Sequence, residues 1–238
     1  NYTQASKWSY MGYALVSDTL QSVSQPVLAR MNDETLRQQN VFRKLLRFTS
    51  FITFPVMFGI SFISHELIII TITDKWLPAV EILQLLCISG AFIPIIRLYS
   101  NLLISRGKSN IYMWNSISAC LVSLLAVIIA HPYGMRTMFI AYVTINICWL
   151  LVWHYFLRKE IGLSLWNALK DILPFVGIML ASIFAAAFIL DWAGVENIYL
   201  LFAGKITITA ALYLSLLWVA RANVLKESIM FLTRKKIQ

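Results

Sequence analysis

Charge is scarce in this sequence. Only 13% of its 238 residues are Asp, Glu, Lys or Arg, about half the share of a soluble domain. Acids are scarcer than bases, 11 against 20. Hydrophobic residues make up 59%, which leaves too little polar surface to coat a water-facing core. Disorder, which needs low hydrophobicity, is excluded as well. Cysteine is limited to Cys87, Cys120 and Cys148, each inside an apolar run with no CxxC pair or neighbouring His/Asp cluster. These three read as small buried hydrophobes, neither a disulfide framework nor a metal centre. The three histidines, at 65, 131 and 154, lie far apart. There is no Ser/His/Asp grouping, HExxH, phosphate-cradling glycine loop or paired-carboxylate motif. The expectation is no catalytic residue, no metal and no cofactor.

What the sequence has is long apolar stretches. A spanning helix needs roughly 20 apolar residues, so the hydrophobic content supplies about seven. Seven segments can be counted, at 8–31, 45–72, 77–104, 111–130, 135–157, 172–190 and 198–220. Runs such as LVSLLAVIIA at 121–130 do not alternate, which argues for helices over a β-barrel. The fold class expected is an all-α polytopic membrane protein.

Loop charges give the direction. Arg30, Arg37, Arg43, Lys44 and Arg47 follow segment one, and only Lys75 follows segment two. Arg106 and Lys108 follow segment three, then Arg136 alone, then Arg158, Lys159 and Lys170. Segment six is followed by no base and segment seven by Arg221, Lys226, Arg234, Lys235 and Lys236. Fifteen bases thus fall on one side and two on the other. The positive-inside rule makes the rich side cytoplasmic. The N-terminus is then outside and the C-terminus inside. The same rule accounts for the net charge of +9 without nucleic acid as a partner. A chain that opens on Asn1, outside and without a signal-peptide pattern, is expected to be the later part of something longer.

Pro26, Pro55 and Pro94 lie inside segments one, two and three and are expected to kink them. Pro78 and Pro174 are expected near the starts of segments three and six, and Gly107 at a helix C-cap. Residues 223–238 read as an interfacial helix with a basic end that can meet anionic lipid.

Segment one is the most polar. Asp18, Gln21, Ser22 and Gln25 recur at i, i+3, i+4 and i+7 and share one helical face. Asp at mid-membrane costs roughly 2.5–3.5 kcal/mol. That face must line a watery cavity or bond to other helices, and both readings stand. Arg97 reads as the one arginine within a span, with Asn101 a turn further on. Its planar fork suits phosphate; snorkelling to the headgroups is the competing reading. Lys205 is expected to snorkel outward. Glu81 is expected to suit a helix N-terminus, and His65 and Glu66 to sit at the interface.

Five stretches, in order, resemble the bacterial polysaccharide flippases, the lipopolysaccharide and O-antigen exporters related to the MATE transporters. They are SQPVLARMND at 24–33, Phe54-Pro55 with Gly59, DKWLPA at 74–79, NLLISRGKSN at 101–110, and 158–174. Gln25, Ala29 and Asp74 depart from the family pattern. The resemblance implies two pseudo-symmetric six-helix lobes followed by two extra helices. Residues 1–157 would supply five helices of the second lobe, 158–220 the two additional helices, and 221–238 a cytoplasmic amphipathic tail. The first lobe would be the missing partner. The implied function is flipping of an undecaprenyl-pyrophosphate-linked oligosaccharide across the inner membrane by alternating access. Arg97 would meet the pyrophosphate. A proton or sodium ion would be the coupling ion, with Asp18 the available acid. Membrane lipids are further partners. A cation-coupled drug or metabolite antiporter of the same superfamily remains an alternative. A membrane polymerase or acyltransferase fits less well, because the outer loops are short.

Overall fold

A computed structural model describes residues 2–31, 34–71, 74–195 and 197–219. Among these residues the fold is all helical. Its helices are α1 (Tyr2–Ala29), α2 (Thr35–Phe62), α3 (Ser64–Thr71), α4 (Pro78–Gly90), α5 (Ile93–Ser105), α6 (Ser109–Ala130), α7 (Met135–Ile161), α8 (Leu165–Trp192) and α9 (Ile198–Val219). Single 3₁₀ turns, Asp74–Trp76 and His131–Tyr133, join α3 to α4 and α6 to α7.

Six spans are long and apolar enough to cross a membrane among the described residues: α2, α4 with α5, α6, α7, α8 and α9. The seventh expected span, α1, is a continuous 28-residue helix. It does not meet the same standard of apolarity, because its middle carries the polar face already noted. The basic tail at 223–238 lies outside the described residues.

Several boundaries differ from the sequence reading. Helix α2 begins at Thr35 rather than near 45, so Arg37, Arg43, Lys44 and Arg47 stand on its first turns and not in a loop. Arg97 is therefore not alone among arginines on spanning helices. Segment three is broken, not merely kinked. Pro94 has no N–H to offer the carbonyl of Gly90 four residues back. The chain closes α4 with short bonds, Ala91 N–H to Cys87 O at 3.0 Å and Phe92 N–H to Ser89 O at 3.0 Å, and Pro94 sits in the first turn of α5. Pro26 and Pro55 do lie inside α1 and α2. Pro174 lies well inside α8, because that helix starts seven residues earlier than its apolar stretch. Pro78 opens α4 as expected, and Gly107 ends α5 with φ +71°.

The core is centred on α2, α4 and α5. Phe42, Leu46, Phe54 and Met57 of α2 pack with Leu83 and Cys87 of α4 and with Ile95, Leu98, Tyr99 and Leu102 of α5. Helix α1 leans on α5, α4 and α2; α7 covers α4 and α5 and pairs with α6; α8 lies on α2 and carries α9. Cys87 is buried, but Cys120 and Cys148 are exposed. The expectation of three buried thiols fails for these two because α6 and α7 form an outer hairpin with most of its apolar surface uncovered.

Small residues let α1, α2 and α4 approach closely, as helices in membranes commonly do. A Cβ added at Gly90 would lie 2.5 Å from Met57 Cε and 3.3 Å from both Ser9 Oγ and Tyr13 Cδ1. Gly90→Ala should cost no more than about 1 kcal/mol, since the Met57 side chain can swing aside. Gly90→Leu should cost about 1–3 kcal/mol by forcing α4 off α1. Thermal unfolding in detergent measures both, and equal melting of the two variants would contradict the close approach.

Candidate functional site

One end of the bundle is tied by a polar network that sets where the helix ends stand. Arg106, just past α5, donates from Nε to Gln38 Oε1 at 2.8 Å and from Nη2 to Thr35 Oγ1 at 3.2 Å. Gln38, fully buried, passes the connection on by donating to Leu28 O at 2.9 Å. Glu160 of α7 lies 3.9 Å from Arg106 and 3.8 Å from Lys108. Gln39 donates to Ile161 O at 3.1 Å. Four helix ends, those of α1, α2, α5 and α7, are thereby fastened together. This is the basic end of the bundle.

With those ends fixed, α1 and α5 lie side by side, and two of the residues singled out from sequence meet. Arg97 Nη1 stands 3.6 Å from Asp18 Oδ1. Both side chains remain open, Asp18 at 71% and Arg97 at 42% exposure. Arg97 is eight residues from the end of α5, about 12 Å along the axis. Asp18 and Gln25, two turns apart, are both exposed. Gln21 and Ser22 lie between them on the helix, but their side chains fall outside the described residues. The opposite side of α1 is buried through Val16, Ser17, Ser24 and Leu28.

Asn101 separates from this group. It is buried, and its Nδ2 donates to Ser24 Oγ at 2.9 Å. It ties α5 to α1 and does not extend the open face. Pro94 is buried one turn before Arg97 on α5, Pro55 is half-buried inside α2, and Pro26 is exposed one residue after Gln25.

Other charges are used structurally, that of Lys205 against expectation. Lys205 does not snorkel outward: its Nζ donates to Glu66 Oε1 at 2.8 Å and lies 4.7 Å over the Phe62 ring. Glu66 is buried within the bundle, where the cation it needs comes from α9. Glu81, in the first turn of α4 as expected, meets Arg136 at 3.0 Å, both exposed. Arg43 clasps Asp171 of α8 with two bonds, 2.6 and 3.1 Å. Sequence reasoning missed Asp171. The signal available was a lone acid near the start of an apolar segment, with no indication of which base would reach it. Among the described residues no group of three His, Cys, Asp or Glu side chains could hold a metal ion.

A bundle of spanning helices with an open ion pair partway across it is a multi-pass membrane protein, and one whose charged face is meant for water, a ligand or another protein surface. Comparison with known proteins is more specific. Residues 1–81 match the family described as polysaccharide biosynthesis protein. An uncharacterized membrane protein in the cps region of Klebsiella pneumoniae is 33% identical over 39% of this chain and 19% of its own length. The lipopolysaccharide biosynthesis protein WzxC of Escherichia coli K12 is 28% identical over 36% of the chain and 18% of its own. The teichuronic acid biosynthesis protein TuaB of Bacillus subtilis 168 is 24% identical over 65% of the chain and 32% of its own. The chain thus spans no more than about a third of these relatives. No solved structure matches. Over residues 1–81 the chain matches that family, and three of its five motifs lie in this stretch. Six apolar helices and these relatives make it a multi-pass protein of the bacterial inner membrane.

Proposed function

We propose that the chain forms one wall of a flippase that moves an undecaprenyl-pyrophosphate-linked oligosaccharide from the inner to the outer leaflet for surface polysaccharide assembly. In this reading α1 also spans the membrane as the first of seven spans, the N-terminus is outside, and the basic end is cytoplasmic. Residues 1–157 belong to the second lobe of a MATE-like fold, 158–220 are two added helices, and a first lobe stands opposite. The observation that carries the reading is the open Asp18–Arg97 pair, 3.6 Å apart on α1 and α5. A guanidinium can grip pyrophosphate oxygens bidentately. A carboxylate beside it holds the cation in place until the anionic headgroup arrives, and a proton or sodium ion on Asp18 would release Arg97 to it. Gln25, with Gln21 and Ser22 on the same helical face, would offer hydrogen bonds to sugar hydroxyls. The roles of the relatives WzxC and TuaB in lipopolysaccharide and teichuronic acid biosynthesis support a saccharide substrate.

Deleting the full-length gene should leave lipid-linked repeat units on the cytoplasmic face, shielded in spheroplasts from a membrane-impermeant oxidant of sugars. Units that stay as accessible as in the parent strain would overturn the transport reading.

A further inference from the structure

Helix α1 lies against its neighbours on an almost smooth face. Ser9, Gly12, Val16, Ser17, Ser24 and Leu28 are buried along it, and four of these six are serine or glycine. Small residues let helices in membranes approach closely. They also offer few ridges to lodge in a neighbour's grooves. Such a face fixes the distance between helices better than their register.

Register matters here because α1 and α5 each carry half of the open ion pair. Both helices run toward the basic end, where Gln38 links Leu28 O to Arg106. Moving α1 along its own screw by one residue would shift Asp18 by about 1.5 Å and turn it by about 100°. That rotation would carry the carboxylate away from Arg97. The pair cannot prevent the slip itself, since its partners are 71% and 42% exposed and exposed ion pairs are weak.

A second contact between the same two helices can. Asn101 lies four residues past Arg97, about 6 Å along α5, and Ser24 lies six residues past Asp18, about 9 Å along α1. Both are buried, and Asn101 Nδ2 donates to Ser24 Oγ at 2.9 Å. No bulk water competes for a hydrogen bond inside a bilayer, and its strength falls steeply when its angle is bent. The bond therefore forms in one register and fails in the next. We propose that Asn101 is a positioning residue: through its buried bond to Ser24 it sets the register of α1 against α5 at which Asp18 meets Arg97. The inference deepens the flippase reading and rests on it only for the consequence in export.

The test uses the full-length protein with Cys120→Ser and Cys148→Ser, because these two thiols are exposed while Cys87 is buried. Asp18→Cys then puts a thiol where the carboxylate stands. A maleimide reacts with the thiolate, which a neighbouring guanidinium favours. The pH midpoint of labelling thus reports how near Arg97 stands, with no substrate present. It should lie about one unit lower than in the same protein carrying Arg97→Gln. Asn101→Leu should abolish most of that difference. It leaves no orphaned donor, because the Ser24 hydroxyl can turn to a carbonyl of its own helix. Ser24→Asn with Asn101→Ser rebuilds the bond from the other side and should restore the low midpoint, which general damage to packing would not allow. A midpoint unmoved by Asn101→Leu would overturn the proposal, as would an exchange variant that folds without restoring it. Equal midpoints with and without Arg97 would overturn it too, whatever the fate of the other variants. With Asp18 in place, Asn101→Leu should lower complementation of export about 3- to 10-fold, the equilibrium worth of one interhelical hydrogen bond. The expected labelling with export untouched would support the positioning and overturn the transport role of the pair.

Discussion

Replacing Asp171 by alanine should destabilise the folded protein by about 3 kcal/mol and sharply reduce its yield in the membrane. Asp171 is buried on α8 and accepts two bonds from Arg43 of α2, at 2.6 and 3.1 Å. Arg47 stands 3.9 Å away on the same side. Removing the carboxylate leaves two guanidinium groups without their counter-charge between packed helices. Breaking a buried pair from one side costs about 3–5 kcal/mol. The lower end applies here, because Arg43 and Arg47 keep 29% and 31% of their side chains exposed. Arg47→Ala alone should be nearly neutral, since its contact is too long for a hydrogen bond. A double replacement, Arg43→Met with Asp171→Leu, should recover most of the loss, because apolar packing of similar volume can replace a buried pair. Melting of the detergent-purified protein, followed by size-exclusion chromatography, reads all three variants. A single Asp171→Ala variant that melts with the parent would show that α8 is held by apolar packing alone.

The second large effect is functional. Arg97→Gln should reduce complementation of export more than tenfold while leaving protein level and melting unchanged. A hydrogen bond to a charged group is worth about 1.5–3 kcal/mol, which corresponds to roughly 10- to 150-fold. Stability should be spared because the Arg97–Asp18 pair is largely exposed, and exposed pairs contribute about 0–1 kcal/mol. Arg97→Lys should retain part of the activity, as a point charge without the planar fork. Asp18→Asn should differ from both, altering dependence on the ion gradient more than affinity for the lipid-linked sugar. Full complementation by Arg97→Gln would remove the residue from the site.

Much of the helical architecture is legible in the sequence, because apolar runs of spanning length have few other fates. Gly107 and Pro78 were readable for the same reason, each having one favoured place at a helix end. The start of α2 was not. Arg37, Arg43, Lys44 and Arg47 look like a loop in sequence by their charge, yet they are helical, and Asp171, 128 residues away, receives one of them. The break between α4 and α5 follows from Pro94, but the sequence does not say whether a proline bends a helix or divides it. At the candidate site the members Asp18 and Arg97 were identifiable from charge and depth alone. Their meeting across 79 positions of chain was not, nor was the loss of Asn101 to Ser24. Pairings between distant segments depend on how helices are arranged, and periodicity within one segment carries no record of that.

The Lys205–Glu66 bond has a consequence for how the protein is made. The two residues are 139 positions apart. At about 5–20 residues per second, the ribosome needs roughly 7–28 s to produce Lys205 after Glu66. During that interval Glu66 has entered the bilayer region without the cation that later neutralises it. Arg43 waits in the same way for Asp171. The two last helices therefore act as clasps that arrive late. Until they do, the nascent bundle carries charges inside the membrane that a membrane insertase or a surveillance protease could recognise as the mark of unfinished synthesis.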